Sequence, residues 1–127
     1  MKVLLVGSEG FLGGWVKKLL LEDNEHELVE IRGKNDLDIT NIEKLNKYLK
    51  GQEIVIHLAC ISNDPSFELN PKLGKEINLD AFEPLVELSK NAGIKKFFYA
   101  SSSSVYGIKK ERNVTEDLPL KPISEYN

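Results

Sequence analysis

Lys2-Val3-Leu4-Leu5-Val6-Gly7-Ser8-Glu9-Gly10-Phe11-Leu12-Gly13-Gly14-Trp15-Val16 is the stretch that decides the fold. Val3 to Val6 is continuously apolar and closes at Gly7, which reads as a strand covered on both faces, as in a parallel sheet. Leu12, Trp15, Val16, Leu19 and Leu20 then recur at helical spacing and predict one buried stripe of a helix. Gly7, Gly10 and Gly13 lie between the two. A dinucleotide pyrophosphate needs this order of strand, glycine turn and helix. One glycine permits the tight turn, one lets the backbone approach the phosphates, and one lets the helix pack close to the sheet. The helix N-terminus offers free N–H groups and its positive dipole end to the anion. The alternative is a strand-to-helix turn that holds no ligand.

The same alternation runs outward along the chain. Glu53 to Ala59 and Phe97 to Ala100 are further apolar strands, Leu28 to Ile31 a weaker one, and Asp36 to Asp38 a very short one. Ile42, Leu45 and Leu49 mark a short helix. Ile77, Ala81, Leu85, Leu88 and Ala92 mark a longer one that ends at Gly93 and should bend at Pro84. Strand and helix alternating from the first residue predict an α/β fold, a Rossmann-type doubly wound parallel sheet, here incomplete at its C-terminus. After Gly107 the chain reads as a long loop.

The chain has 127 residues, one domain's worth, with 41% hydrophobic and 29% charged residues. A net charge of −3 argues against a general nucleic-acid binder, which needs a basic face. The single cysteine, Cys60, cannot form an internal disulfide, no apolar run reaches membrane-spanning length, and Gly7 comes too early for a signal peptide. A cytoplasmic protein without nucleic-acid or membrane partners is the expectation. No second thiol or histidine is spaced with Cys60 for a metal.

The glycine spacing is G-x-x-G-x-x-G, and with it the chain resembles the extended short-chain dehydrogenase/reductase family. His57-Leu58-Ala59 is similar to that family's motif at the end of the fourth strand. Asn78 stands where the family places an asparagine in the following helix. Ser101-Ser102-Ser103-Ser104-Val105-Tyr106-Gly107 resembles its serine-rich segment after the fifth strand. Glu116, Pro119, Pro122, Ser124 and Tyr126 resemble the lead-in to its Tyr-x-x-x-Lys motif. The resemblance covers the whole chain.

That resemblance implies NAD(P)-dependent epimerisation or dehydration of a nucleotide sugar, with Ser102 and Tyr126 as the catalytic pair. A tyrosine that acts as a base near neutral pH needs a lowered pKa, which a lysine ammonium and the nicotinamide charge supply. Ser102 would hydrogen-bond the same sugar oxygen and stabilise developing charge. The family lysine would fall beyond Asn127. Residues 1–127 therefore read as the N-terminal dinucleotide-binding domain of a longer protein, cut before that lysine and the substrate-binding region and inactive alone. Expected cofactor contacts are Gly7, Gly10, Phe11, Leu12, Gly13, Arg32, Asp38, Ile39, Leu58, Ala59, Cys60, Asn78, Ala100 and Ser101. Arg32, backed by Gly33 and Lys34, stands where the second strand ends and favours the 2′-phosphate of NADP over NAD. Asp38-Ile39 resembles the family's adenine-contacting pair, although Asp38 or Thr40 also suits a cap for the helix beginning near Asn41.

The reaction type stays divided. The short link from Ile31 to Asp38 resembles keto-sugar reductases, whereas Ile61 to Pro71 and the stretch ending at Gly107 resemble epimerase/dehydratases. An NADPH-dependent keto-sugar reductase and a non-catalytic nucleotide-binding module are the alternatives. The full-length protein is expected to form a homodimer.

Overall fold

The structure is a computed structural model that describes residues 1–33 and 36–127. Four strands form one parallel sheet: β1 (Lys2–Val6), β2 (Glu27–Ile31), β3 (Ile54–His57) and β4 (Lys96–Tyr99) in the order β2-β1-β3-β4. The register sets Leu4 opposite both Val29 and Val55, and Val55 opposite Phe97. Val3, Leu4, Leu5 and Val6 are all buried, as the continuous apolar run of β1 requires of a central strand. This is the Rossmann-type sheet expected from the alternation.

Helices α1 (Phe11–Glu22), α2 (Ile42–Leu49), α3 (Asp64–Leu69), α4 (Pro71–Lys75) and α5 (Phe82–Asn91) flank the sheet. α2 and α5 pack on each other, and the core gathers Leu4, Val6, Ile31, Leu37, Leu45, Leu49, Val55 and Leu85. Residues 107–127 carry no helix or strand.

Several expectations are corrected. Leu12, Trp15 and Leu19 do not form a buried stripe: Trp15 is 56% and Leu19 63% exposed, and Gly13 is the buried residue of α1. The apolar period fixes which residues share a face of α1. The helix, however, meets β1 and β2 through the flank carrying Gly13, which leaves that face uncovered. β4 is an edge strand whose Phe98 is half exposed, not a strand covered on both faces. Asp36–Asp38 is not a strand, because the Asp36 carboxylate folds back onto Arg32. The cap of α2 is Asn41, whose side chain accepts from the Lys44 amide at 3.1 Å, rather than Asp38 or Thr40. Lys34 lies outside the described residues.

The long helix also divides. Glu76–Asp80 is a π-helical turn, closed by the Ala81 amide donating to the Glu76 carbonyl at 3.0 Å. Pro84 has no N–H for the Asp80 carbonyl, and its ring crowds that carbonyl in a regular helix. The wider turn just before α5 relieves that conflict, so the expected bend takes the form of a π-bulge. α3 and α4, absent from the sequence reading, begin at Asn63-Asp64-Pro65 and Asn70-Pro71. In each the asparagine caps the helix and proline occupies its first turn.

Candidate functional site

The strand order reverses direction between β1 and β3, and ligands of open α/β sheets bind at such a point, outside the strand ends. Gly7 leaves β1 here with φ +91°. A Cβ on Gly7 would stand 2.7 Å from the Ala59 nitrogen, so only glycine lets the two strand ends meet. A Cβ on Gly13 would stand 2.0 Å from the Gly7 carbonyl oxygen, so α1 approaches the turn as closely as backbone allows. Gly10 differs, because its Cβ would find nothing nearer than 3.4 Å. Its reason for being glycine lies on the open side of the turn, where phosphate would approach.

Gly10 is also the N-cap of α1. No side chain among the described residues caps the helix there, and no acidic residue occupies its first turn. The first amides of a twelve-residue helix thus face outward with their dipole uncompensated, as an anion site requires. The turn is fixed from behind. The Gly7 amide donates to the Ile31 carbonyl at 2.7 Å, and the buried Ser8 hydroxyl donates to Glu30 at 2.7 Å. Lys17 of α1 donates to the other Glu30 oxygen at 2.9 Å. The Ser8 hydrogen bond first, then Lys17, holds the Glu30 carboxyl below its ordinary range. The Glu30 carboxylate is thereby paired at the back of the glycine turn.

Two adjoining cavities contain every candidate residue. The larger, about 950 Å³, is lined by Gly10, Phe11, Leu12, Gly13, Leu58, Cys60, Asn78, Ala100, Ser101, Ser102 and Tyr126. The smaller, about 340 Å³, is lined by Gly7, Gly10, Arg32, Asp38, Ile39, Leu58, Ala59 and Cys60. Gly10, Leu58 and Cys60 belong to both, so the two adjoin at the glycine turn. Their placement fits a ligand with an anionic middle and two bulkier ends. The structure adds Tyr99, Ser62, Phe67 and Lys75 to the larger cavity. Tyr99 was findable, since the last residue of a parallel strand faces this crevice. Ser62, Phe67 and Lys75 sit on the loop and helices after β3, which carry no apolar period of useful length.

Individual side chains are more committed than a list of motifs suggests. Asn78, on the π turn, accepts from the Ile61 amide at 2.8 Å and donates to the Ile61 carbonyl at 3.0 Å. Its amide pins the loop after β3. Arg32 is forked onto Asp36, with Nε to Oδ2 at 2.7 Å and Nη2 to Oδ1 at 2.8 Å. This pair raises the Arg32 pKa and lowers that of Asp36. Asp38 accepts from the amide and hydroxyl of Thr40. Cys60 is exposed, and partial burial still pushes its thiol up.

His57 closes β3 beneath the site. It is 3% exposed, ringed by Phe82, Phe97 and Tyr99 at centroid distances of 6.0, 6.5 and 5.9 Å, and its Nδ1 has no hydrogen-bond partner among the described residues. Desolvation lowers its pKa to about 4. Tyr126 packs edge-on against Phe67 at 6.1 Å. Burial first, then the charges of Cys60, Asp64 and Tyr99, push its phenol up, opposite to what a base near neutral pH needs.

Known proteins place this geometry. The chain is 30% identical to a UDP-glucose 4-epimerase of Lactobacillus helveticus over 99% of its own length and 43% of that protein. The structure of a UDP-N-acetylglucosamine 4-epimerase from Methanobrevibacter ruminantium M1, in complex with UDP-N-acetylmuramic acid, superposes with a TM-score of 0.84. It is 28% identical and covers 98% of this chain and 45% of that one. UDP-glucuronic acid 4-epimerase from Bacillus cereus, in complex with NAD, gives 0.82 at 28% identity, covering 99% and 47%. The chain thus spans less than half the length of these relatives. No helix among the described residues is long and apolar enough to cross a membrane. Residues 3–127 match the pattern of the NAD dependent epimerase/dehydratase family, and the chain is a member of that family, of the extended short-chain dehydrogenase/reductase type.

Proposed function

We propose that this chain is the dinucleotide-binding part of an NAD(P)-dependent nucleotide-sugar epimerase or dehydratase. One observation carries the reading: the uncapped N-terminus of α1 and the Ser102–Tyr126 pair line the same cavity. The amides that suit a pyrophosphate and the hydroxyls that suit a sugar oxygen are therefore within reach of one elongated ligand set. The names of the relatives, a UDP-glucose and a UDP-N-acetylglucosamine 4-epimerase, support a nucleotide sugar as the substrate class.

When bound, the nicotinamide supplies an acceptor and donor of hydride. The protein's own share is binding and proton handling. The amides of Phe11, Leu12 and Gly13 would hold the phosphates of a bound dinucleotide. Ser102 hydrogen-bonds the reacting sugar oxygen, and Tyr126 takes its proton once a cation lowers the phenol's pKa. Leu58 and Cys60 line both cavities, and Ala59 lines the smaller one.

NAD is the cofactor that the Bacillus cereus structure holds. Arg32 favours NADP by charge, yet its fork is already engaged by Asp36, and a 2′-phosphate must displace or share that partner. NAD is the form adopted here, with Arg32 as the residue through which NADP competes. A cytoplasmic homodimer is the expected setting.

Equilibrium titration of the 127-residue chain with NAD⁺ and with NADP⁺ tests the binding half. Saturable binding that Phe11 or Gly10 substitution weakens is expected, and no binding of either dinucleotide at millimolar concentration would overturn it. For the catalytic half, Ser102→Ala in a protein that carries this sequence and converts a UDP-sugar should lower kcat at least 100-fold. Unchanged conversion would remove Ser102 from the mechanism.

A further inference from the structure

A continuous line of side chains leads away from Ser102 and ends on a carboxylate. The Ser102 and Ser104 hydroxyl oxygens stand 2.6 Å apart. Ser104 is hydrogen-bonded to the Asn127 amide oxygen, the Asn127 Nδ2 donates to Ser124 Oγ at 2.9 Å, and Ser124 is hydrogen-bonded to Asp64. All five residues are half-buried. The line joins three segments far apart in sequence: the serine run after β4, the first residue of α3, and the segment that carries Tyr126.

The direction of every proton follows from its fixed end. A carboxylate has lone pairs and no proton to give, so Ser124 donates to Asp64. The Ser124 oxygen then accepts from Asn127, which turns the Asn127 amide oxygen toward Ser104. Ser104 gives its single hydroxyl proton to that oxygen. In the contact between the two serines the donor must therefore be Ser102. The Ser104 amide also donates to Ser102 Oγ, at 3.2 Å. The Ser102 proton thus points into the protein, and a lone pair remains for the cavity that Ser102 lines.

We propose that Asp64 is a positioning residue for the Ser102–Tyr126 pair. Through Ser124, Asn127 and Ser104 it orders the hydrogen bonds so that Ser102 meets its ligand as an acceptor, and it holds the segment bearing Tyr126 against α3. This inference rests on the reading that Ser102 and Tyr126 act on one sugar oxygen. An acceptor suits a sugar hydroxyl at rest, which has one proton to give; when Tyr126 takes that proton, Ser102 must turn from Ser104 and donate to the oxygen left behind. A keto oxygen needs a donor, which Ser102 becomes only by turning away from Ser104. The ordered line therefore favours the hydroxyl form of the sugar over its keto form. Tyr126 lies between two members of the line, Ser124 and Asn127, and its ring packs on Phe67, three residues after Asp64. α3 thus holds the tyrosine segment at two points.

Two substitutions in the 127-residue chain separate ordering from mere packing. Asp64→Asn keeps the size and removes the charge. Ser124→Ala cuts the line and leaves the charge in place. Amide hydrogen exchange, read by NMR, should quicken about tenfold at Ser104 and across 124–127 in Ser124→Ala. The Tyr126 phenol, isolated by subtracting a Tyr126→Phe titration, faces Cys60, Asp64 and Tyr99. It should titrate at lower pH in Asp64→Asn and stay close to the parent in Ser124→Ala. Asp64→Glu should restore the parent titration. Parent-like exchange at Ser104 in Ser124→Ala overturns the inference, as does an unmoved Tyr126 titration in Asp64→Asn. If Asp64→Asn does not fold, judged by circular dichroism, Ser124→Ala and Asp64→Glu decide the question. Titrating the same samples with NAD⁺ keeps the two readings apart. Loss of dinucleotide binding in the parent overturns the proposed function, while intact binding with unchanged exchange overturns only the role of Asp64.

Discussion

Acid should destabilise this fold well above the range where carboxylates titrate, because His57 is buried with no partner for its Nδ1 among the described residues. Its pKa lies at about 4 in the folded chain, against an ordinary 6.5. Above pH 6.5 the imidazole is neutral in both states, and its contribution is complete. As the pH falls through 6.5 the unfolded chain takes up a proton that the folded chain refuses, so unfolding becomes easier by up to about 1.4 kcal/mol per pH unit. Between pH 7 and pH 5 the loss is about 2 kcal/mol, and it reaches about 3 kcal/mol near pH 4. Glu30, Asp36, Glu53 and Asp117 are all held below their ordinary values, so their contributions are complete above the ordinary carboxylate range and fade as pH falls through it and below. Between pH 7 and 5 the difference between the parent and a variant lacking the imidazole therefore reports His57. The assay is urea unfolding at both pH values for the parent and for His57→Phe, which suits the surrounding Phe82, Phe97 and Tyr99. The parent should lose about 2 kcal/mol more than the variant. Equal losses would refute the argument, since they would mean that His57 finds a proton or a partner in the folded state.

The glycine turn separates two kinds of glycine. Gly13→Ala sets a Cβ against the Gly7 carbonyl and should cost about 3 kcal/mol in urea unfolding, whereas Gly10→Ala should stay within about 1 kcal/mol yet weaken NAD⁺ binding. Asp36→Asn releases the Arg32 fork and should raise the NADP⁺-to-NAD⁺ affinity ratio about tenfold, with Arg32→Ala moving it the other way. Trp15 is the single tryptophan and is exposed, so acrylamide should quench its emission nearly as it quenches the free indole. Trp15→Ser should change stability by less than about 1 kcal/mol, against 2–5 kcal/mol for Leu4→Ala in the core.

What the sequence discloses depends on how local the cause is. The run Val3–Val6, the glycine spacing and the strand ends at Leu58 and Ala100 are written in consecutive residues, and topology then brings them to one crevice. That is why residues scattered from Gly7 to Tyr126 meet on two adjoining cavities. α3 and α4 are six and five residues long, too short for an apolar period. Their start signals, Asn63 with Pro65 and Asn70 with Pro71, were present and carry more information than hydrophobicity does there. Periodicity placed Leu12, Trp15 and Leu19 on one face of α1, but it says nothing of what lies opposite that face. The Arg32–Asp36 fork and the line from Ser102 to Asp64 are pairings of polar side chains that no spacing rule marks. The Ser124–Asp64 link spans 60 positions.

The direction of the Tyr126 shift binds these observations together. A motif identifies a tyrosine but not its pKa, and here burial and neighbouring negative charge raise it. Among the cavity-lining residues Lys75 is a cation, and its ammonium is 2.7 Å from Asp80. A phenol in this setting donates a hydrogen bond at neutral pH and does not remove a proton. Base catalysis at Tyr126 therefore requires a cation close enough to reverse the combined effect of burial, Cys60, Asp64 and Tyr99. The oxidised nicotinamide and a lysine of the Tyr-x-x-x-Lys kind are such cations. Ser102 and Tyr126 line one cavity, and burial together with Cys60, Asp64 and Tyr99 sets what any activating cation has to overcome.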